Sequence, residues 1–229
     1  MSYSPTEDKF KWQTLQDAGF IAYLDSMDYS NSGIYNHFLY KNAFKRLDIY
    51  EDLESIKNFK ALLLPNSVDE VFLHRNKGLI KAFLEEANLQ QPKILVSFAS
   101  NFLPWLPGNS LYTQSKQDIK TRFIKQSKHR IFSGVSEYDL NYRRGVKGFF
   151  NRGFFNPPPN AEVILKDNES KCVAYIDSTS TPSTILATAG ADLLSYGIFD
   201  TNTARRMGLN LLNYLSDFLK PKDTKGERL

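Results

Sequence analysis

A short apolar run that stops abruptly in small and polar residues constrains the fold more than any other feature of this chain. Residues 94–98 contain no charged side chain, and Ala99, Ser100 and Asn101 follow them before Phe-Leu-Pro-Trp. Such a run is typical of a strand that is covered on both faces, as in a parallel sheet between helices. Because the loops after such strands form the ligand sites of open α/β sheets, residues 97–101 are the first candidate site.

Apolar runs of the same character recur along the chain and alternate with helical patterns. The further runs are residues 20–25, 60–64 and 184–189. Helical spacing of apolar residues is found at residues 69–86, at residues 207–219, and at Tyr40, Phe44 and Leu47. Candidate N-caps of the last helix are Asp200, Thr201 and Asn202. The alternation predicts an α/β fold with a mainly parallel sheet.

Two stretches depart from this alternation. Residues 161–165 and 172–176 are apolar and flank a polar turn, which predicts an antiparallel hairpin toward one edge of the sheet. Residues 109–159 are rich in Arg, Lys, Gly and aromatic residues, and we expect an insertion there with one helix around Ile119, Phe123 and Ile124. The prediction for the whole chain is therefore a flavodoxin-like, three-layer α/β sandwich with an edge β-hairpin.

Composition limits the classes of protein to consider. With 229 residues, 41% of them hydrophobic, the chain can bury the core of one domain, which we place at about residues 20–219 with a charged tail at 220–229. A formal net charge of +4 suits an anionic ligand but is far below that of a dedicated nucleic-acid coat. A single cysteine, no signal-like N-terminus and no long apolar run lead us to expect a cytoplasmic protein with no membrane partner.

The order of four segments resembles a known superfamily. The segments are residues 62–66, 94–98, 129–135 and 184–192, the last of which precedes the terminal helix. This order is similar to that of the class I glutamine amidotransferase-like superfamily, and in particular to its ThuA-like, trehalose-utilisation-type branch. The resemblance covers roughly residues 20–219 and implies a flavodoxin-like sandwich. In catalytic members a cysteine stands at the turn after the central strand, and a histidine and a glutamate follow the last strands.

This chain departs from the catalytic pattern at each of those positions. Residues 97–101 read Ser-Phe-Ala-Ser-Asn, and residues 189–192 read Ala-Gly-Ala-Asp. Cys172 opens a strand of the predicted hairpin, so we interpret it as a buried structural thiol. Ser100 is a weak candidate nucleophile, because the three histidines, His37, His74 and His129, are scattered along the chain. We therefore predict a pseudoenzyme that lacks the glutaminase triad.

Polar residues near the predicted strand ends form a candidate ligand site. Its members are Asn66, Ser97, Ser100, Asn101, Asp192, Tyr196 and Arg205. The carboxyl ends of parallel strands meet at one edge of a sheet, and the start of the terminal helix would place Arg205 beside a small anion. With Asp25, the set supplies two carboxylates and two amides, which is poor for a metal, and we predict neither a metal nor a cofactor. The alternative is that these residues are caps and turn formers.

Residues 142–159, named here the aromatic-basic segment, interleave cations with aromatic rings. The candidate contact residues are Tyr142, Arg143, Arg144, Lys147 and Arg152. Three interpretations stay open: a lid over the sheet in which Phe149, Phe150, Phe154 and Phe155 are partly buried, a surface for a protein partner, and a grip on nucleic acid. We rank them in that order.

Three functional hypotheses follow from these observations. The favoured one is a non-catalytic binding or scaffold subunit that recognises a small anionic ligand or a protein partner, including a second copy of itself. The second is a hydrolase or transferase with unorthodox residues in the same pocket, which the missing catalytic residues disfavour. The third is a nucleic-acid-associated protein acting through the aromatic-basic segment, which the modest charge disfavours.

Overall fold

The computed structural model describes residues 12–88, 91–108, 111–143, 145–148, 150, 152–199 and 202–220. The strands are β1 (Ile21–Asp25), β2 (Phe44–Asp48), β3 (Ala61–Leu64), β4 (Ile94–Ser97), β5 (Tyr112–Gln114), β6 (Tyr142–Arg143), β7 (Val146–Lys147), β8 (Gly153–Phe155), β9 (Glu162–Lys166), β10 (Cys172–Asp177) and β11 (Thr184–Thr188). The helices are α1 (Gln13–Asp17), α2 (Tyr29–Tyr35), α3 (Ile49–Asp52), α4 (Glu70–Arg75), α5 (Lys77–Glu85), α6 (Glu137–Asn141), α7 (Leu193–Phe199) and α8 (Arg205–Leu219).

Within the described ranges, nine strands form one sheet in the order β2-β1-β3-β4-β11-β10-β8-β5, with β9 paired to β10. The strands from β2 to β11 in this order are parallel to one another. Strands β10, β9, β8 and β5 add an antiparallel part, and β6 and β7 pair in a small sheet of their own. The predicted strands and the edge hairpin are thereby confirmed.

Helices cover both faces of the parallel part, which explains why its strands are apolar throughout. Alternate residues of β1 enter two separate cores, because successive side chains of a strand point to opposite faces. Tyr23 packs in the core that α8 completes with Leu211, whereas Leu24 packs in the core that α5 completes with Phe83. The result is a flavodoxin-like α/β fold with a large, mostly parallel sheet, as predicted.

Two of the helices predicted from the sequence are not helices in the structure. Phe44 and Leu47 lie in β2, which pairs in parallel with β1, so the tertiary pairing outweighed a three-residue helical pattern. The helix of this unit is α2, whose N-cap Asp28 accepts the backbone N–H of Ser30 at 2.9 Å. Tyr40 is buried in the turn between α2 and β2.

The segment around Ile119, Phe123 and Ile124 is not a helix. Ile124 makes an isolated antiparallel bridge with Asp167, and the N–H of Lys125 donates to the carbonyl of Lys166 at 3.0 Å. Residues 123–125 are therefore extended along the hairpin of β9 and β10, where intersegment hydrogen bonds replace those of a helix, whereas residues 119–121 form a turn.

The long helix predicted for residues 69–86 divides into α4 and α5 at Asn76. The Asn76 side chain donates to the carbonyl of Phe72 at 3.0 Å, a local bond that competes with helix continuation. For α8 the N-cap is Ala204, without a side-chain cap, while Asn202 begins a short 3-10 turn and Asp200 and Thr201 lie outside the described residues. None of the helices in the described part of the chain has the length and apolar character needed to cross a bilayer.

Candidate functional site

The turn after β4 is held in an unusual backbone conformation. Asn101 has a φ of +55°, in the left-handed region, and its side chain is buried with both polar atoms lacking a hydrogen-bond partner among the described residues. Ser97 is also buried, and its hydroxyl likewise lacks a partner there. Buried polar groups are usually paired, so these two side chains are candidate contacts for a ligand or a water molecule.

Backbone amides of this turn converge on the carboxylate of Glu70. The N–H groups of Asn101 and Phe102 donate to it at 3.0 and 2.6 Å, and those of Leu103 and the Trp105 indole donate at 3.4 and 3.3 Å. We name these four donors the amide cradle. Successive amides arranged in this way bind anions, and here the anion is the chain's own side chain. Glu70 opens α4, next to the N-cap Asp69, and was not among the residues predicted for the site.

Asp192, after β11, is a second buried polar group near the strand ends. Its Oδ1 accepts the N–H groups of Leu194 and Ser195 at 2.9 Å each, and its Oδ2 has no partner in the described part of the chain. Burial raises the pKa of Asp192 to about 6, although these amides and the charge of Arg143 act in the opposite direction. Its ionisation therefore falls closer to neutral pH than that of an ordinary aspartate.

The turns after β4 and β11 approach each other at Ser100 and Gly190. A Cβ placed on Gly190 would lie 2.8 Å from the Ser100 hydroxyl, and Gly190 has a φ of +76°. A side chain at Gly190 would therefore separate the two turns. The side chains of Ser97 and Asp192 do not meet in one cluster, however. Ser97 is in register with the core residues Leu64 and Ala187 of the α5 side, whereas Asp192 contacts the start of α7 on the other side.

The aromatic-basic segment folds back onto α7 beside Asp192. The Arg143 guanidinium lies 5.4 Å from the ring centroid of Tyr196, and the Phe150 ring packs edge-on against the same ring at 5.0 Å. Phe150 and Phe155 are buried, and Phe154 is half-buried beside the Lys171 ammonium. Arg144 and Phe149 lie outside the described residues.

Two predicted site residues stand apart from these turns. Asn66 is exposed, and Arg205 is exposed at the start of α8. Burial lowers the pKa of His37 and the nearby charge of Arg205 lowers it further, so Arg205 faces the region of α2. In the part of the chain that the structure describes, no hydrogen bond or ion pair joins either residue to Asn101 or Asp192.

A network of mutually hydrogen-bonded polar side chains lies between the ends of β1 and β3, where the strand order of the sheet reverses. Asp25 pairs with Arg46 at 2.6 Å and accepts from the Asn31 amide at 3.0 Å, and Asn31 in turn accepts from the hydroxyls of Tyr23 and Ser67. Flavodoxin-like sheets bind ligands at this point. Here the polar groups satisfy one another, so Asp25 is a structural member of the fold.

No cluster of three or more His, Cys, Asp and Glu side chains suited to a metal ion occurs among the described residues. Cys172 is buried in β10, and burial raises its thiol pKa to about 12, so it is a poor nucleophile at neutral pH. Neither Ser97 nor Ser100 hydrogen-bonds a histidine within the described ranges. The arrangement therefore offers anion-binding amides and buried polar groups rather than an activated nucleophile.

Comparison with known proteins supports the fold. The sequence matches no protein-family model, and no curated protein matches it. Among solved structures, it is similar to a candidate GMP synthase subunit from Thermoplasma acidophilum, with a TM-score of 0.53 and 12% sequence identity. The match covers 85% of this chain and 92% of the other chain. At this identity the likeness supports the α/β fold alone and does not single out the ThuA-like branch.

Proposed function

We propose that this chain is a non-catalytic, amidotransferase-like binding subunit. On this proposal it recognises a small ligand or a partner protein through the carboxyl ends of its strands and the adjoining aromatic-basic segment. The supporting observation is the amide cradle filled by Glu70. An acyl-transfer site keeps such donors open for the oxyanion that develops on the substrate. In this chain an anionic side chain already occupies them.

The surrounding chemistry supports the same proposal. A hydrolytic nucleophile needs a lowered pKa or a base within hydrogen-bond reach. The pKa of Cys172 is raised by burial. The contact of Arg143 with Tyr196 brings the start of the aromatic-basic segment next to the strand-end turns, so Arg143 would contribute to recognition there. A cation over an aromatic ring and a buried acid are common in binding surfaces and do not require catalysis.

A glutamine hydrolysis assay tests the proposal. We expect the purified protein to release no ammonia from glutamine above the buffer rate, and Cys172→Ser to behave identically. An ester substrate assayed with Ser100→Ala addresses the hydrolase alternative, and we expect no difference from the unmodified protein there. Hydrolysis of either substrate that disappears in the corresponding variant would refute the non-catalytic assignment.

A further inference from the structure

A groove beside β5 combines a planar ring with positive charge. Its described lining residues are Phe102, Tyr112, Gln114, Ile119, Arg122, Val146, Lys147, Gly148 and Arg152. They include three cations and no carboxylate. The groove volume is about 470 Å³, within the range of about 300–1,000 Å³ for small-molecule sites.

The ring at this groove is exposed to solvent and contacts a neighbouring ring. Phe102 is 66% exposed, and its ring packs edge-on against Tyr112 with 5.1 Å between centroids. Tyr112 itself lies across Gly153 of the neighbouring strand, where a Cβ would come within 2.3 Å of the tyrosine ring. Because Gly153 has no side chain, the Tyr112 ring can lie over it and contact the Phe102 ring. An exposed, supported ring of this kind is suited to stacking against a planar ligand.

Two of the three cations are oriented by backbone carbonyls beside the groove. The Arg122 guanidinium donates to the carbonyls of Gln117 and Ser115 at 3.0 and 3.1 Å, and the Lys147 ammonium donates to the carbonyl of Lys120 at 2.6 Å. A carbonyl acceptor orients a cation without cancelling its charge. Burial raises the pKa of Tyr112, and the charges of Arg152 and Arg122 oppose that rise, which places both guanidinium groups close to the ring.

We propose that this groove binds a nucleoside phosphate, with the base stacked on Phe102 and the phosphate held by Lys147 and Arg152. A planar base beside an anion is the ligand chemistry that an aromatic ring bordered by cations recognises. The same chemistry is present in a free mononucleotide and in one nucleotide of a single strand. This inference rests on the proposed binding function and assigns its ligand class.

Calorimetric titration with AMP, adenosine and ribose 5-phosphate tests the assignment. We expect AMP to bind at least 10-fold more tightly than adenosine or ribose 5-phosphate, because each of these lacks one half of the ligand. Phe102→Ala should weaken AMP about 10-fold and leave ribose 5-phosphate unchanged. Lys147→Ala should weaken AMP and ribose 5-phosphate and leave adenosine unchanged.

The matched control is Lys81→Ala, because Lys81 is a cation that lines a separate cavity beside Trp105. This variant should bind AMP like the unmodified protein. A single-stranded oligonucleotide titrated in parallel identifies the source: tighter binding per nucleotide than AMP, lost in Phe102→Ala, would keep the site and assign it to nucleic acid.

Binding of AMP that is absent, no tighter than that of ribose 5-phosphate, or unaffected by both groove variants would overturn the inference. That outcome would leave the non-catalytic assignment standing, since the hydrolysis assays test it separately. Circular dichroism of each variant distinguishes a lost contact from a lost fold. Phe102 is largely exposed, so its replacement is not expected to unfold the chain.

Discussion

Replacement of Glu70 gives a direct measure of what the amide cradle contributes to stability. Glu70→Ala removes the acceptor of four donors, of which two bonds are short, at 3.0 and 2.6 Å, and two are long, at 3.4 and 3.3 Å. A hydrogen bond to a charged group contributes about 1.5–3 kcal/mol. Phe102 is largely exposed, and water can replace the acceptor of its N–H. We therefore expect a loss of about 2–4 kcal/mol in the free energy of unfolding.

The measurement is urea unfolding followed by tryptophan fluorescence, because Trp105 is one of two tryptophans and donates directly to Glu70. Glu70→Gln keeps one oxygen acceptor and should lose about half as much. In Glu70→Ala, added acetate should restore part of the loss by occupying the cradle, as a bound ligand stabilises the folded state. Glu85→Ala is the matched control, since Glu85 is exposed on α5 and makes no hydrogen bond or ion pair with a described residue. Equal stability of Glu70→Ala and Glu85→Ala would refute the cradle as an anion site.

Two further predictions concern buried groups. Asp192 has a folded pKa of about 6 against its ordinary value of 3.8, so its folded form retains a proton that the unfolded chain releases between these values. Its contribution to stability should therefore fall by up to about 3 kcal/mol as the pH rises from about 4 to 7, and Asp192→Asn should remove this slope from a pH series of urea titrations. Phe150→Ala should cost about 3–5 kcal/mol, because Phe150 is buried, whereas the exposed Phe102→Ala should cost less than about 1 kcal/mol, and equal losses in thermal unfolding would contradict the packed position of Phe150.

The sheet could be predicted because its strands carry their signal locally. Residues 61–64 and 185–187 are apolar without interruption, since helices cover both faces of β3 and β11. The helical pattern of α8 was equally clear, because Leu211 and Leu215 face one core at regular spacing. Three apolar residues between β1 and β3 were too few to distinguish a helix from a strand, since the spacing of Phe44 and Leu47 fits either one.

The amide cradle could not be predicted from the sequence, because it depends on a contact between distant parts of the chain. Glu70 meets the N–H of Asn101 across 31 positions of the chain, and no local pattern specifies that approach. The helical pattern predicted from residue 69 onward placed the start of this helix correctly, since Asp69 is the N-cap of α4. The sequence does not predict which of the two acids caps the helix. Asp69 does so, accepting the N–H of Phe72 at 2.9 Å, whereas the Glu70 carboxylate accepts from the loop after β4.

The aromatic-basic segment shows how one sequence pattern divides between two surfaces. β6 and β7 reverse the chain, with Arg143 opposite Val146 and Tyr142 opposite Lys147. Arg143 then lies over Tyr196 near Asp192, whereas Lys147 lines the groove together with Arg152. Because these cations lie at two separate places, a variant that removed all of them would combine an effect at Asp192 with an effect at the groove. The Arg143 contact affects a buried acid of the strand-end turns, and the groove cations affect ligand capture beside Phe102, so each surface needs its own single substitution.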